Sequence, residues 1–266
     1  MNNPVKFRAV VFDLDDTLVW DERLSRRALT ETAADAAART GGDAGRLAAA
    51  AKRASGELWH AHAPVDRCDS LGIVAFEGMW GHFHGDEDYL RHLREWVPSF
   101  RTEIWRRALA EEGVGDDTLA AELGMLFARR RRELQDRLPG AEELLRRLRS
   151  AGLRVGLLTN GAPDLQREKI EASGLGMFFD AAVVSGEVGT GKPEPEIFLH
   201  LLGKLQAEPR ASLMVGNSLA RDIVGGKRAG MPTCWLALEG EEEPVGLAEP
   251  DYTIRSLGEL PAILGL

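Results

Sequence analysis

The chain predicts an α/β fold: a parallel-sheet core that is interrupted after its first strand by an inserted all-helical domain. Three observations carry this. Short, continuously apolar runs such as Ala9-Val-Val-Phe12 recur along the chain, and continuous rather than alternating apolarity marks a strand buried on both faces. From about residue 138 these runs alternate with amphipathic helical stretches, the pattern of right-handed βαβ crossovers. Between Thr17 and Leu138 the pattern is helical throughout and contains no convincing strand. The expected division is 1–19 with 138–266 for the α/β core and 20–137 for the helical domain.

The first strand, Ala9 to Phe12, runs into Asp13-Leu-Asp-Asp-Thr17. After it, an Ala-, Arg- and Leu-rich stretch from Leu24 to about Ala54 is built of strong helix formers and broken at Gly41-Gly42, which predicts two helices. Residues 56–98 are rich in aromatic and histidine side chains. Ile104, Trp105, Ala108 and Leu109 form one helical stripe; Leu119, Leu123, Leu126 and Phe127 form another. Ala141–Ser150 is an amphipathic helix closed by Gly152. Strands are expected at Leu153–Leu158, Ala181–Val184, Ser212–Val215, Pro232–Leu236 and Tyr252–Ile254. Helices are expected at Pro163–Ser173, Glu194–Leu205, Leu219–Ala229 and Leu257–Leu264, the first with proline at its start and Gly174 past its end.

A length of 266 residues allows one large domain or two modest ones. The formal net charge is −9, and no basic block is large enough to track a phosphate backbone, which argues against a nucleic acid polymer as partner. The one basic cluster, Arg129–Arg132, lies in a helical pattern beside Glu133 and Asp136 and reads as a solvated helix face. Cys68 and Cys234 are far apart and in no C-x-x-C pattern, so a reducing compartment without disulfides is expected. Met1–Lys6 lacks the pattern of a secretory leader, and no apolar run reaches the roughly 18 residues of a membrane span. The expected setting is cytoplasmic, with a small molecule rather than a membrane as partner. The acidic, glycine-containing loop Glu239–Glu243 reads as solvated.

Chemistry collects where strands end. Strand one delivers Asp13, Asp15 and Thr17; the next delivers Thr159 and Asn160. A loop after the third carries Lys192, and the fourth delivers Asn217, Ser218 and, one turn on, Asp222. In a parallel sheet these loops share the carboxyl edge, where ligands bind. Three carboxylates within four positions at the end of strand one are costly unless a cation or a proton relieves them. On its own this stretch reads equally as a metal-assisted site in which a carboxylate does chemistry and as an acidic loop after a strand.

These residues resemble the motifs of the haloacid dehalogenase (HAD) superfamily. Asp13-Leu-Asp-Asp-Thr17 is similar to its D-x-D-x-T motif, Thr159 to its strand-end Ser/Thr, Lys192 to its lysine, and Gly216-Asn-Ser-Leu-Ala-Arg-Asp222 to G-D-x-x-x-x-D. The resemblance covers nearly the whole chain and implies a Rossmann-like core with a helical cap inserted between the first two motifs. It implies that Asp13 is a nucleophile forming an aspartyl-phosphate, and that Asp15 is the general acid and then base. It implies that Thr159, with Asn160 beside it, and Lys192 hold the phosphoryl oxygens. It implies Mg²⁺ at Asp13, the main-chain carbonyl of Asp15, Asn217 and Asp222. Asp15 also separates two chemistries: the dehalogenase branch lacks that second carboxylate, so its presence points to phosphoryl transfer. Asp16 and Thr17 read as the turn leading onward.

One position departs from the pattern. Asn217 stands where the family usually has a metal-binding aspartate. Asp222 then supplies the charged ligand, or metal affinity is lower, or catalysis is lost and the chain is a binding protein. The expected activity is Mg²⁺-dependent hydrolysis of a small phosphomonoester; a phosphomutase of sugar phosphates carries the same motifs and stays open. In the helical segment Trp59, His60, His62, Arg67, Trp80, His82, Phe83, His84 and Arg101 are able to contact a substrate, but none has a spacing that forces a role, and Trp105 belongs to an apolar stripe.

Overall fold

A computed structural model describes residues 7–238 and 248–266. The Met1–Lys6 stretch read for a leader and the Glu239–Glu243 loop lie outside the described residues. Two compact units are present: one contains the stretch ending at Trp20, Asp136–Asn160 and Glu168–Leu266, and the other contains Asp21–Gln135 with Gly161–Arg167.

In the first unit the chain opens with β1 (Ala9–Phe12). The second unit then supplies α1 (Glu22–Thr40), α2 (Ala44–His62), α3 (Val65–Leu71), α4 (Ala75–Gly78), α5 (Asp88–Glu111) and α6 (Asp117–Glu133). Here α1 packs on α2 and α6, and α5 packs on the same two helices. Their apolar stripes enclose a core with Trp59, Trp80, Phe83, Phe100, Trp105 and Phe127, joined by Ala162 and Leu165. The sequence break at Gly41 is a left-handed helix end, φ 76°, as the missing Cβ allows.

The basic run corrects an expectation. Arg131 is not part of a solvated face but is 1% exposed. It donates to Asp21 at 2.6 Å, to Ser25 Oγ at 2.9 Å and to the Leu134 carbonyl, and its guanidinium lies over the Trp80 ring. A buried charge persists when ion pairing and hydrogen bonds compensate its lost hydration, and Asp21 is too distant in sequence to have signalled that.

Returning to the first unit, the elements are α7 (Ala141–Ser150), β2 (Arg154–Thr159), α8 (Pro163–Ser173), β3 (Ala181–Val184), α9 (Ser185–Val188), α10 (Pro195–Leu205), β4 (Ser212–Gly216), α11 (Val224–Arg228), β5 (Thr233–Leu236), β6 (Tyr252–Ile254) and α12 (Leu260–Leu264). The α8 helix begins among residues grouped with the helical unit and ends in the α/β unit. The strands form one parallel sheet in the order β3-β2-β1-β4-β5-β6. The fold class is therefore α/β, with β1 at the centre. Val10 and Phe12 enter the core shared with α7, while Ala9 and Val11 enter the one shared with α10, so both faces are covered. Gly156 lets α10 approach β2: a Cβ there would meet a Leu205 methyl at 2.7 Å. Cys68 and Cys234 are free and buried. Burial pushes both thiols up to about 12, Cys68 with help from Glu77 and Asp69, Cys234 from Glu259.

At the β5–β6 end, Asp251 accepts from the Thr233 amide at 2.8 Å, the Thr233 hydroxyl at 3.0 Å and Lys227 Nζ at 3.2 Å. Burial works against its charge, but these donors outweigh it and hold the carboxyl below the ordinary value. The folded value being depressed, the stabilisation is present above the unfolded value and is lost as pH falls through the folded one. Asp251→Ala is expected to cost about 1 kcal/mol at neutral pH and progressively less below about pH 4. Urea denaturation at both pH values checks this; a pH-independent cost would count against it.

The fourth expected helix is also altered. In place of one helix over Leu219–Ala229, a π-helical turn at Leu219–Ile223 leads into α11. Its cause lies in the site described next.

Candidate active site

Asp13 leaves β1 at the centre of the sheet, its amide donating to the Val215 carbonyl of β4 at 3.0 Å. The chain then turns sharply: Leu18 N donates to Leu14 O at 2.8 Å, and Asp16 takes a left-handed φ of 55°. This turn folds Thr17 back beneath Asp13. Thr17 is fully buried, and its hydroxyl lies 3.1 Å from Asp13 Oδ2 and 3.4 Å from Asn217 Oδ1, while it accepts from the Asn217 amide. The sequence places Thr17 both among the polar residues at the end of strand one and in the turn leading onward, and its hydroxyl lies beside Asp13 and Asn217.

Lys192 comes from the loop between α9 and α10. Its Nζ lies 2.5 Å from Asp13 Oδ1 and 2.7 Å from Asp222 Oδ1, and all three side chains are buried. Burial opposes the Lys192 charge, yet the two carboxylates together raise its pKa above the ordinary value. Burial pushes Asp13 up, with Asp222 adding to the rise and Lys192 opposing it. Two carboxylates thus share one ammonium in this cluster.

Asn160 is brought beside Lys192, but its side chain is engaged with the lysine's main chain: Nδ2 donates to Lys192 O at 2.9 Å, and Oδ1 accepts from Lys192 N at 2.8 Å. That bracket places the lysine. Thr159, at the end of β2, is 1% exposed.

Asp222 explains the π-helical turn. Its Oδ2 accepts from Ser218 N at 2.9 Å, while Ile223 N reaches back to Ser218 O at 3.3 Å, five residues away. The widened turn coexists with a carboxylate folded back on its own turn and bonded to Lys192. Gly216 makes room for it, since a Cβ would lie 2.2 Å from Asp222 Oδ2. Asn217 stands beside this pair, its main-chain oxygen accepting from Trp235 Nε1 at 2.8 Å.

Asp15 is placed at the same edge and is met by a residue that sequence reading missed. Lys169 Nζ lies 3.0 Å from Asp15 Oδ2. A signal was available: Lys169 falls on the helical stripe Leu165, Gln166, Lys169, Ile170 and Ser173, all of which are buried. A lysine on such a stripe calls for a partner. In the helical unit His60, His62, His82 and His84 are exposed, whereas Trp59, Trp80, Phe83 and Trp105 are core.

A central-strand carboxylate, a second carboxylate two residues on, and a buried lysine from a later loop stand at the edge of a parallel α/β sheet. The chain belongs to the haloacid dehalogenase-like hydrolase family, whose pattern it matches over residues 7–230, and is an enzyme of that superfamily. It is 35% identical over 256 residues to a phosphoserine phosphatase of Thermus thermophilus, spanning 95% of this chain and 97% of that one. It is 30% identical over 262 residues to an N-acylneuraminate-9-phosphatase of Mus musculus, spanning 97% and 94%. Among solved structures it is similar to the HAD-hydrolase YfnB of Bacillus subtilis bound to magnesium, with TM-score 0.64 and 26% identity over 98% of this chain and all of that one.

Proposed function

We propose that the chain is a Mg²⁺-dependent hydrolase of a small phosphorylated metabolite and works through an aspartyl-phosphate on Asp13. The observation that carries this is the pairing of two carboxylates with two lysines: Asp13 with Lys192, and Asp15 with Lys169. Asp13 attacks phosphorus. Asp15 protonates the departing alcohol oxygen, then takes a proton from the water that releases phosphate. Lys192 and Thr159, with the Asn160 bracket behind them, neutralise charge on the phosphoryl oxygens. Relatives acting on phosphoserine and on N-acylneuraminate 9-phosphate support a phosphomonoester as substrate. In this reading 1–19 with 138–266 is the catalytic core and 20–137 the cap. Two free, buried thiols suit a cytoplasmic setting. Among the described residues no helix is long and apolar enough to cross a membrane.

The donors suit magnesium. Among the described residues no group of three or more His, Cys, Asp or Glu side chains gathers as a ligand set. What is present is Asp13 and Asp222, with the Asn217 amide oxygen turned toward Thr17. A hard cation that keeps several waters needs only one or two carboxylates. Asp13, Asp222, Asn217 and the Asp15 main-chain carbonyl would hold it. When bound it screens the nucleophile from the anionic phosphate. The neutral ligand at 217 sets the metal requirement: Asn217→Asp is expected to lower the half-saturating Mg²⁺ concentration by about tenfold. A titration of activity against Mg²⁺ checks this, and an unchanged midpoint would refute it.

The function itself is tested by phosphate release from a panel of phosphoamino acids, sugar and sugar-acid phosphates and nucleoside monophosphates. Turnover of at least one is expected; none with Mg²⁺ present would sink the reading.

A further inference from the structure

We propose that Lys169 is the positioning residue for Asp15, fixing the direction of the carboxylate that protonates the leaving group. This rests on the phosphomonoesterase reading above. Lys169 is 2% exposed on the inner stripe of α8, and its Nζ contacts Asp15 Oδ2 at 3.0 Å. Asp15 is part-buried, with a side-chain exposure of 24%. It sits in the turn whose next residue has φ 55°. A carboxylate in such a turn retains side-chain freedom, and holding one oxygen against a buried ammonium removes it.

The arrangement is expensive for a purely structural device. Taking an ammonium out of water is costly unless a partner is present. A leucine or methionine on that stripe would complete the helix packing without a charge. The cation is therefore best explained by what it holds. The lysine reaches the acid from a helix that follows β2, while the acid follows β1, and these two strands are neighbours in the sheet. Lys169 Nζ lies 3.0 Å from Asp15, whereas Lys192 Nζ lies 2.5 Å from Asp13 and 2.7 Å from Asp222, so the site carries two lysine–carboxylate groupings. Lys192 serves the nucleophile, and Lys169 serves the acid.

The leaving group gives the test. A nitrophenolate departs as a stable anion and needs little protonation, whereas an alkoxide does not leave without a proton. Because kcat/KM reports events up to transfer onto Asp13, it isolates the acid step. Lys169→Met is expected to lower kcat/KM for glycerol phosphate by roughly 100-fold, the lower end of what a general acid contributes, and for p-nitrophenyl phosphate by less than about fivefold. The surviving aryl phosphatase activity also shows that the variant is folded. In an Asp15→Asn background Lys169→Met should add almost nothing, because the two act as one unit. Lys169→Arg should recover part of the alkyl ester rate. Equal losses on both esters, or additive losses in the double variant, would overturn the assignment of Lys169 while leaving the phosphatase reading intact. Wild-type enzyme that turns over neither ester, with Asp13→Asn indistinguishable from it, would overturn both.

Discussion

Asp13→Asn is expected to abolish turnover, with kcat falling on the order of 10⁴-fold or more, as for other enzymes stripped of their nucleophile. The amide has nearly the same shape. It still presents an oxygen to the Thr17 hydroxyl, which lies 3.1 Å from the present carboxylate, but it cannot attack phosphorus. Stability should not suffer in proportion. Burial already pushes the Asp13 carboxyl up, so the charged form is the one the fold tolerates poorly. Removing the charge relieves that cost, while Lys192 keeps Asp222 as partner at 2.7 Å. A melting temperature within a few degrees of wild type, together with lost phosphate release, is the expected pair of results. Residual activity within tenfold of wild type would remove Asp13 from the role of nucleophile.

Lys192→Met should be damaging in a different way. It takes the ammonium from between two buried carboxylates and leaves Asp13 and Asp222 facing each other. Breaking a buried pair by deleting one partner costs about 3–5 kcal/mol, and this deletion strands two anions rather than one. The drop in stability is measurable by urea denaturation at neutral pH. Lys192→Arg is not expected to restore it, since a planar guanidinium does not fit where a point charge joins two carboxylates in a 2% exposed pocket. The double variant Lys192→Met, Asp222→Asn separates the effects. Neutralising Asp222 should return much of the lost stability but none of the lost activity, because the phosphoryl oxygens still lack their cation. A single variant as stable as wild type would show that the cluster is not held together as the geometry indicates.

The parts of this site that were legible in the sequence are those written in contiguous residues. The buried strand and the carboxylates that follow it are local, as are the glycine and proline punctuation of the helices. Strand adjacency was not. Alternation predicts a parallel sheet, but nothing local says that β1 takes β2 on one side and β4 on the other. The altered helix after β4 was hidden because its cause is tertiary: propensity favours a regular helix over Leu219–Ala229, and the bonds of Asp222 to Ser218 and Lys192 accompany a different turn. Arg131 was misread for the same reason, since its partner Asp21 is more than a hundred residues away. Lys169 is the instructive case. Its place on an apolar stripe was visible, but the partner that makes the placement tolerable was not.

The two thiols have a practical corollary. Only thiolate reacts with maleimides and iodoacetamide, and Cys68 and Cys234 are buried with their pKa values pushed up to about 12. The native enzyme should therefore stay unlabelled at neutral pH for as long as it is folded. A single cysteine introduced on the surface would take a fluorophore or spin label selectively, without first stripping the native pair. Conversely, the onset of labelling in the unaltered chain would serve as a chemical clock for unfolding, each modified thiol marking a molecule whose interior has opened.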